Sequence, residues 1–231
     1  MDIFFEQIKN FRYEKKFYVE NITRQELEAL LKQHPAIFRE IYNQRRVNNI
    51  YLDTPQFRSY YESCDGVSKR VKFRIRWYRD TFGTIMEPAL EVKLKHNHHV
   101  GKMSYRLNAF KVDESLNEND VLALIKNSEV PALIRLKLQG FNMKILNAYQ
   151  RKYFLSSHGS FRVTLDWGMR VYRLRSNQNN FVYDHRQYNH AILEFKYNKE
   201  SEHLAESLTQ SLPFRVTRSS KYVRGLQDLY K

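Results

Sequence analysis

One cysteine, Cys64, occurs in 231 residues. A chain so poor in thiols can build neither an internal disulfide framework nor a cysteine-based zinc site. That usage is compatible with a reducing, cytoplasmic setting, and Cys64 itself reads as structural. Glycine is scarce as well, at seven residues. Neither GxxxxGK[ST] nor GxGxxG is present, so any recognition of phosphate falls to side chains rather than to a glycine-rich cradle. No repeat, low-complexity tract or Pro/Gly/Ser-rich linker divides the chain, and a single domain over 1–231 is expected. No stretch approaches ~18 consecutive apolar residues, the length of a membrane-spanning helix. The opening "MDIFFEQIKNFRYEKK" lacks the apolar centre of an export signal. The expectation is a cytoplasmic protein with no transmembrane segment of its own, a membrane partner being left open.

Positive charge, in contrast, is abundant. Lysine and arginine number 39 against 25 aspartates and glutamates, a net charge of +14 and a pI near 9.7. An excess of that size points to an anionic partner: nucleic acid, a membrane surface or a phosphorylated ligand. With 42% hydrophobic and 14% aromatic residues the composition favours a folded globule over disorder.

Helix signals recur along the chain. "TRQELEALLKQH" pairs Thr23 with Glu26 three residues on, a capping box, and places Leu27, Leu30 and Leu31 on one face before Pro35. "SLNENDVLALIKN" repeats the pattern with Ser115 and Glu118, and "PALIRLKLQG" runs from Pro131 to Gly140. "SEHLAESLTQSL" and "SSKYVRGLQDLY" are further helices, the last weakened by Gly225. Strands are more numerous. Period-two patterning or β-branched and aromatic enrichment marks Tyr13–Glu20, Asn48–Asp53, Ser68–Arg79, Ile85–His96, Met103–Val112, Met143–Ser156, Phe161–Leu174 and Ala191–Tyr197. Mostly consecutive strands with interspersed helices predict an α+β fold.

The strands share a feature. In "VKFRIRWYRD", Val71, Phe73, Ile75 and Trp77 point one way and Lys72, Arg74, Arg76 and Tyr78 the other. Glu91, Lys93 and Lys95 oppose Leu90, Val92 and Leu94. Arg162, Thr164 and Asp166 oppose Phe161, Val163 and Leu165, and Glu194 and Lys196 oppose Leu193, Phe195 and Tyr197. Lys102, Ser104 and Arg106 alternate in "KMSYRLN", and Arg151 follows in "AYQRKYF". One wet face is ordinary for an antiparallel sheet. Basic residues repeated on strand after strand are less so. If the sheet closes, these faces become one cationic lumen, self-repelling without bound anions, and its embedded carboxylates could hold a divalent metal.

The ordered series "YEKKF", "NNIYLDTP", "RVKFRIRWY", "LEVKLK", a basic strand, "YQRKYF", "FRVTLD", "ILEFKY" and "RSSKYVRG" resembles the VTC domain, the polyphosphate polymerase branch of the triphosphate tunnel (CYTH-like) superfamily. The resemblance runs from about Phe11 to about Leu229. It implies an antiparallel β-tunnel, a closed barrel of about eight strands with helices packed outside. It further implies transfer of the γ-phosphoryl of ATP onto a growing inorganic polyphosphate chain, with Mn²⁺ or Mg²⁺ as cofactor. Carried over by position, Lys16, Arg74, Arg76, Lys93, Lys102, Arg151, Arg162, Glu194 and Lys221 would form the catalytic tunnel. Arg106 competes with Lys102 for one position, and Arg106 and Arg218 would bind substrate. Glu194, Glu14 and Glu91 would be the metal carboxylates, and Lys72 at best a neighbour at the rim. The superfamily's E-x-E-x-K start is reduced here to Glu14 alone, which fits the polymerases better than the triphosphatases.

Arg74 and Arg76 stand two residues apart, about 6.5–7 Å along an extended strand. Neighbouring guanidinium forks at that spacing match successive phosphates. Three other readings stay open: a tunnel triphosphatase or polyphosphatase, a polyphosphate-binding module without chemistry, and, from charge alone, a nucleic-acid-binding domain. The alternation speaks against the last. Without the resemblance, Glu91 and Lys93 read as a plain cross-strand pair. His96, His98 and His99 read as a solvated turn, Asp53 and Thr54 as a strand end, and the aromatics as core rather than base-stacking surface.

Overall fold

The computed structural model describes residues 12–97, 99–181 and 190–230. His98 and the chain before Arg12 lie outside the described residues. Among the described residues there are ten strands: β1 (Arg12–Glu20), β2 (Arg39–Asp53), β3 (Lys69–Tyr78), β4 (Gly83–Ile85), β5 (Ala89–His96), β6 (His99–Arg106), β7 (Phe110–Val112), β8 (Asn142–Leu155), β9 (Phe161–Arg173) and β10 (His190–Tyr197). The same residues form six α-helices: α1 (Arg24–Gln33), α2 (Arg58–Cys64), α3 (Glu118–Asn127), α4 (Ala132–Lys137), α5 (Glu202–Gln210) and α6 (Lys221–Leu229). Eight strands close into an antiparallel barrel in the order β1-β10-β9-β8-β2-β3-β5-β6, while β4 and β7 form a small separate sheet. The expected α+β tunnel is the fold observed.

The barrel turns its apolar faces outward. Val71, Phe73, Ile75 and Trp77 of β3 and Leu90, Val92 and Leu94 of β5 pack under Val121, Leu124 and Ile125 of α3 and Ile134 of α4. On the opposite side Phe17, Val163, Leu165, Leu193 and Phe195 lie beneath Leu27 and Leu31 of α1 and Ala205 of α5. Burial of this outer surface at roughly 25 cal/mol per Å² is what seats the helices. The alternate residues are thereby committed to the interior of the ring.

Some boundaries differ from the sequence reading, each for a local reason. β2 begins at Arg39, well before Asn48, because the polar stretch 39–46 pairs with β8 through register shifts that erase its alternation. The predicted strands Ile85–His96 and Met103–Val112 each break in two. Pro88 has no N–H to give, and its carbonyl accepts from Leu107 N at 2.9 Å where the chain leaves the barrel for the small sheet. The cap of α3 is Asn117 with Asp120 rather than Ser115 with Glu118, whereas Thr23 and Glu26 form the expected box on α1. α2 carries no marked apolar period. It is held by Asp53, fully buried, whose carboxylate accepts from the N–H groups of Thr54, Ser59 and Tyr60. Asp53 is thus an anchor rather than a bare strand end. Cys64, at the end of α2, is exposed rather than structural.

α6 closes one end of the ring. Tyr222 and Leu226 pack against inward-facing Val47, Tyr51, Ile145, Tyr149, Met169 and Val171, and the Tyr222 hydroxyl donates to Asp53 Oδ2 at 2.7 Å. β9 makes this apolar half of the interior with a bulge. Gly168 takes φ +61, and the β8 register shifts opposite it between Ala148 and Gln150. Asp166 faces inward before the bulge, and Met169 and Val171 after it. The seam is short: among the described residues β1 pairs β6 only at Arg12↔Val100 and Tyr13↔His99. Farther along β1 the segment leading to α6 bonds instead, Thr217 N to Lys16 O at 2.7 Å. Gly225 permits the close approach, since a Cβ there would stand 2.8 Å from Ile145 Cδ1 and 3.2 Å from Val171 Cγ1. Gly225→Val should therefore overpack this end and cost about 1–3 kcal/mol, read as a lower denaturation midpoint in urea; an unchanged midpoint would contradict the seating of α6.

Candidate active site

The inward faces beyond the apolar end carry the charge, and the register brings the strands' basic residues into one ring. On one wall Tyr51 pairs Arg74, Asn49 pairs Arg76, Arg74 pairs Glu91 and Lys93 pairs Lys102. On the other, Arg151 pairs Asp166, Glu194 pairs Thr164 and Lys16 pairs Glu194.

The first wall centres on Glu91. Arg74 Nη2 approaches its Oε2 at 2.6 Å and Lys102 Nζ its Oε1 at 2.7 Å, with Arg76 Nη1 at 3.6 Å. Arg76 is aligned by Asn49 Oδ1 at 2.8 Å and Tyr149 Oη at 3.2 Å. Asn49 in turn donates its side-chain amide N–H to Asn147 Oδ1 at 2.8 Å. Burial favours a neutral carboxyl at Glu91, but Arg74, Arg76 and Lys102 hold it far below the usual carboxylate range.

The second wall is a chain of shared ions. Arg151 grips Asp166 with a two-pronged contact, Nη2 to Oδ2 at 2.6 Å. Lys221, from α6, reaches Asp166 Oδ2 at 2.6 Å and Glu194 Oε1 at 3.1 Å. Lys16 and Lys196 approach Glu194 at 3.3 and 3.0 Å. Glu14 connects this group to Lys93, whose Nζ is 3.2 Å from Oε2. Burial opposes ionisation at Asp166 and Glu194, yet the surrounding cations push both carboxyls down; Glu14, by the same balance with Lys16 and Lys93, falls to about 2. Burial likewise opposes charge on Lys16 and Lys221, and their carboxylates raise both above the ordinary lysine value.

Compensation is incomplete. Burial and then the charges of Lys93, Lys16 and Arg70 push Lys72 down to about 7, and its Nζ lies 3.0 Å from Ser220 Oγ and 5.8 Å from the centre of the Tyr222 ring. Burial also drives Lys93 to about 7, because Glu14 and Glu194 do not offset desolvation together with the charges of Lys16 and Arg74. Cations of the ring outnumber its four carboxylates, Glu14, Glu91, Asp166 and Glu194. The cavity therefore carries a net positive charge, with its donors oriented in advance by the carboxylates.

The expected residues fall into three groups. Lys16, Arg74, Arg76, Lys93, Lys102, Arg151, Glu194, Lys221, Glu14 and Glu91 share the ring. Arg162 and Arg106 are exposed where β9 and β6 reach the open rim, and Arg106 lies on the same face of β6 as Lys102, which is the one that reaches Glu91. Arg218 is exposed beside Gly66, where its charge acts on Arg70 and Lys95. Glu14 and Glu194 share Lys16 and Lys196, whereas both oxygens of Glu91 are engaged on the other wall. Among the described residues no three His, Cys, Asp or Glu side chains converge as a metal set. His96 and His99 pair across the β5–β6 turn, and His99 Nε2 lies 3.0 Å from Tyr13 Oη. The sequence reading passed over Asp166 and Lys196 as site residues and set Lys72 at the rim. All three have the same strand parity as their chosen neighbours, and that parity was the available signal.

The family model described as VTC domain matches residues 11–230. A Vibrio parahaemolyticus protein provisionally assigned as an adenylate cyclase is similar in structure, with a TM-score of 0.51 and 17% identity over 93% of this chain and 98% of that one. HpAC1 of Hippeastrum, provisionally assigned as an adenylyl cyclase and described as having a dominant triphosphatase activity, gives 0.52 and 12% identity over 94% and 95%. These two likenesses are of fold. Among curated proteins none matches. Among the described residues no helix is long and apolar enough to cross a membrane.

Asp166 is the pivot of the second wall. Asp166→Asn should leave the buried Arg151 and Lys221 to share Glu194 and a neutral amide and cost about 3–5 kcal/mol, measured by chemical denaturation at neutral pH; a loss under about 1 kcal/mol would show that the pair is solvated.

Proposed function

The chain belongs to the VTC domain family, and from that premise we propose that it lengthens inorganic polyphosphate by transferring the γ-phosphoryl of ATP to the end of the chain within the ring. One observation carries this reading. Every carboxylate of the ring is tied to lysine or arginine and held below its usual range, so none is poised at neutral pH to take a proton from water. The surplus of cations meanwhile attracts an acceptor that is already an anion. A phosphate terminus, or orthophosphate at initiation, needs no general base.

In this scheme Arg76 and Arg151 hold phosphate oxygens with planar forks, their orientations set by Asn49, Tyr149 and Asp166. Arg74, fixed by Glu91, extends that grip to the next phosphate. Lys16, Lys93 and Lys221, each held by a carboxylate, supply point charges that neutralise both the chain and the nucleotide. Phosphoryl transfer depends on such alignment and charge neutralisation more than on covalent help. Arg162, Arg106 and Arg218 guide the anion at the ends of the path. The residues present fit a divalent ion: Glu14 Oε1 is buried without a hydrogen-bond partner, and Glu194 stands beside it across Lys16 and Lys196. Mg²⁺ is commonly held by one or two carboxylates together with substrate phosphates. Mn²⁺ or Mg²⁺ on Glu194 and Glu14 would lower the charge on the nucleotide phosphates; Glu91 in this scheme is left to hold Arg74 and Lys102.

Triphosphate hydrolysis is the second reading, favoured by the triphosphatase activity of HpAC1, whose fold this chain shares. Purified protein with ATP and Mn²⁺ should form long-chain polyphosphate, and Arg74→Ala with Arg76→Ala should lower the rate at least ~100-fold with an unchanged circular dichroism spectrum. Phosphate release without polymer would replace the polymerase reading with the hydrolase, and a fully active double variant would overturn the role of the ring.

A further inference from the structure

The ring's open rim, on the side away from α6, holds an exposed arginine flanked by tyrosines. Arg45 on β2 lies opposite Arg151 on β8, and Tyr42 lies opposite Tyr153. The Arg45 guanidinium carbon stands 5.2 Å from the centre of the Tyr42 ring, 5.7 Å from Tyr78 and 5.8 Å from Tyr153. Tyr42 and Tyr153 meet edge to face at 5.6 Å. Tyr153 is also shared with the phosphate ring, because the guanidinium of Arg151 lies 5.8 Å from the same centroid. The cluster is therefore continuous with the candidate active site, one side chain away from the arginine that would grip phosphate.

Two features call for a ligand other than phosphate. Tyr42 and Tyr78 are 51% and 43% exposed, although most of the aromatic residues elsewhere pack into the core. The faces of tyrosine rings carry negative electrostatic potential, which disfavours phosphate oxygens. A planar heteroaromatic ring suits both features. It stacks on tyrosine or on a guanidinium plane, and Arg45 adds N–H donors for its edge. The cluster also adjoins the ring directly, since Arg45 pairs Arg151 across β2 and β8 and both guanidinium groups lie by the Tyr153 ring.

Building on the nucleotide-dependent reading above, we propose that Tyr42, Arg45, Tyr78 and Tyr153 form the seat for the base of the nucleoside triphosphate. The phosphates then point inward, γ first, to Arg151 and Arg76. The rim thus distinguishes a nucleotide from an inorganic triphosphate, which the ring by itself does not.

The test compares a non-hydrolysable imido analogue of ATP with inorganic tripolyphosphate by titration calorimetry, using the ratio of the two affinities as the readout. Tyr42→Ala with Tyr78→Ala should lower nucleotide affinity about tenfold, leave tripolyphosphate affinity unchanged and so shift the ratio about tenfold. Tyr42→Phe with Tyr78→Phe keeps the stacking faces and should keep the wild-type ratio. Both positions are exposed, and circular dichroism verifies that each variant is folded. An unchanged ratio in the alanine variant overturns the base seat and leaves the tunnel reading standing. Failure of the wild-type protein to bind either ligand overturns both.

Discussion

A lumen that is lined with charge must neutralise most of it internally, and the rest of this structure follows from that requirement. Arg151, Asp166, Lys221, Glu194 and Lys16 form a buried series in which no ion is served by a single partner. Buried ion pairs seldom add net stability, because desolvation offsets their attraction. Their value here is geometric. Each guanidinium and ammonium group of this series is oriented by a carboxylate, so on the proposed reading a polyanion would meet fixed donors rather than flexible ones. The carboxylates stop short of full compensation, and Lys72 and Lys93 carry the strain as ammonium groups driven down to about 7.

The stability this interior does not supply comes from outside the ring. The apolar faces of β3 and β5, and of β1, β9 and β10, lie under helices that give the barrel its two main cores. A third, smaller core sits inside, where α6 closes one end against Tyr51, Ile145 and Val171. α6 is both part of that plug and the source of Lys221. Packing at Gly225 and the Tyr222–Asp53 bond therefore set the position of a cation in the site, 2.6 Å from Asp166. Asp53 also anchors α2, so one buried carboxylate ties two helices to the barrel.

Strand parity made the fold and much of the ring legible in the sequence. Val71 to Trp77 against Lys72 to Arg76 is an alternation that survives unbroken in β3, and the structure places both faces as that alternation requires. Parity alone also included Asp166 and Lys196, but nothing local marks a carboxylate or lysine on a basic face as a partner for a residue far along the chain. Only the closed ring sets Asp166 beside Lys221. Irregularities were less visible. The bulge at Gly168 reverses the facing of β9 and turns Met169 and Val171 inward, while Arg170 is exposed. Register shifts in β2 hid its first half and with it the place of Tyr42 and Arg45 at the rim. The seven residues of α2 depend on a tertiary contact with Asp53 rather than on a helical period.

The central claim is that the interior of the barrel, rather than its basic exterior, is the polyanion site. A crystal structure with inorganic tripolyphosphate tests it most directly. The account expects the phosphates inside the ring, within hydrogen-bond distance of Arg76, Arg151 and Lys221. Phosphates found only on the outer surface, with the ring closed on its own ion pairs, would contradict it.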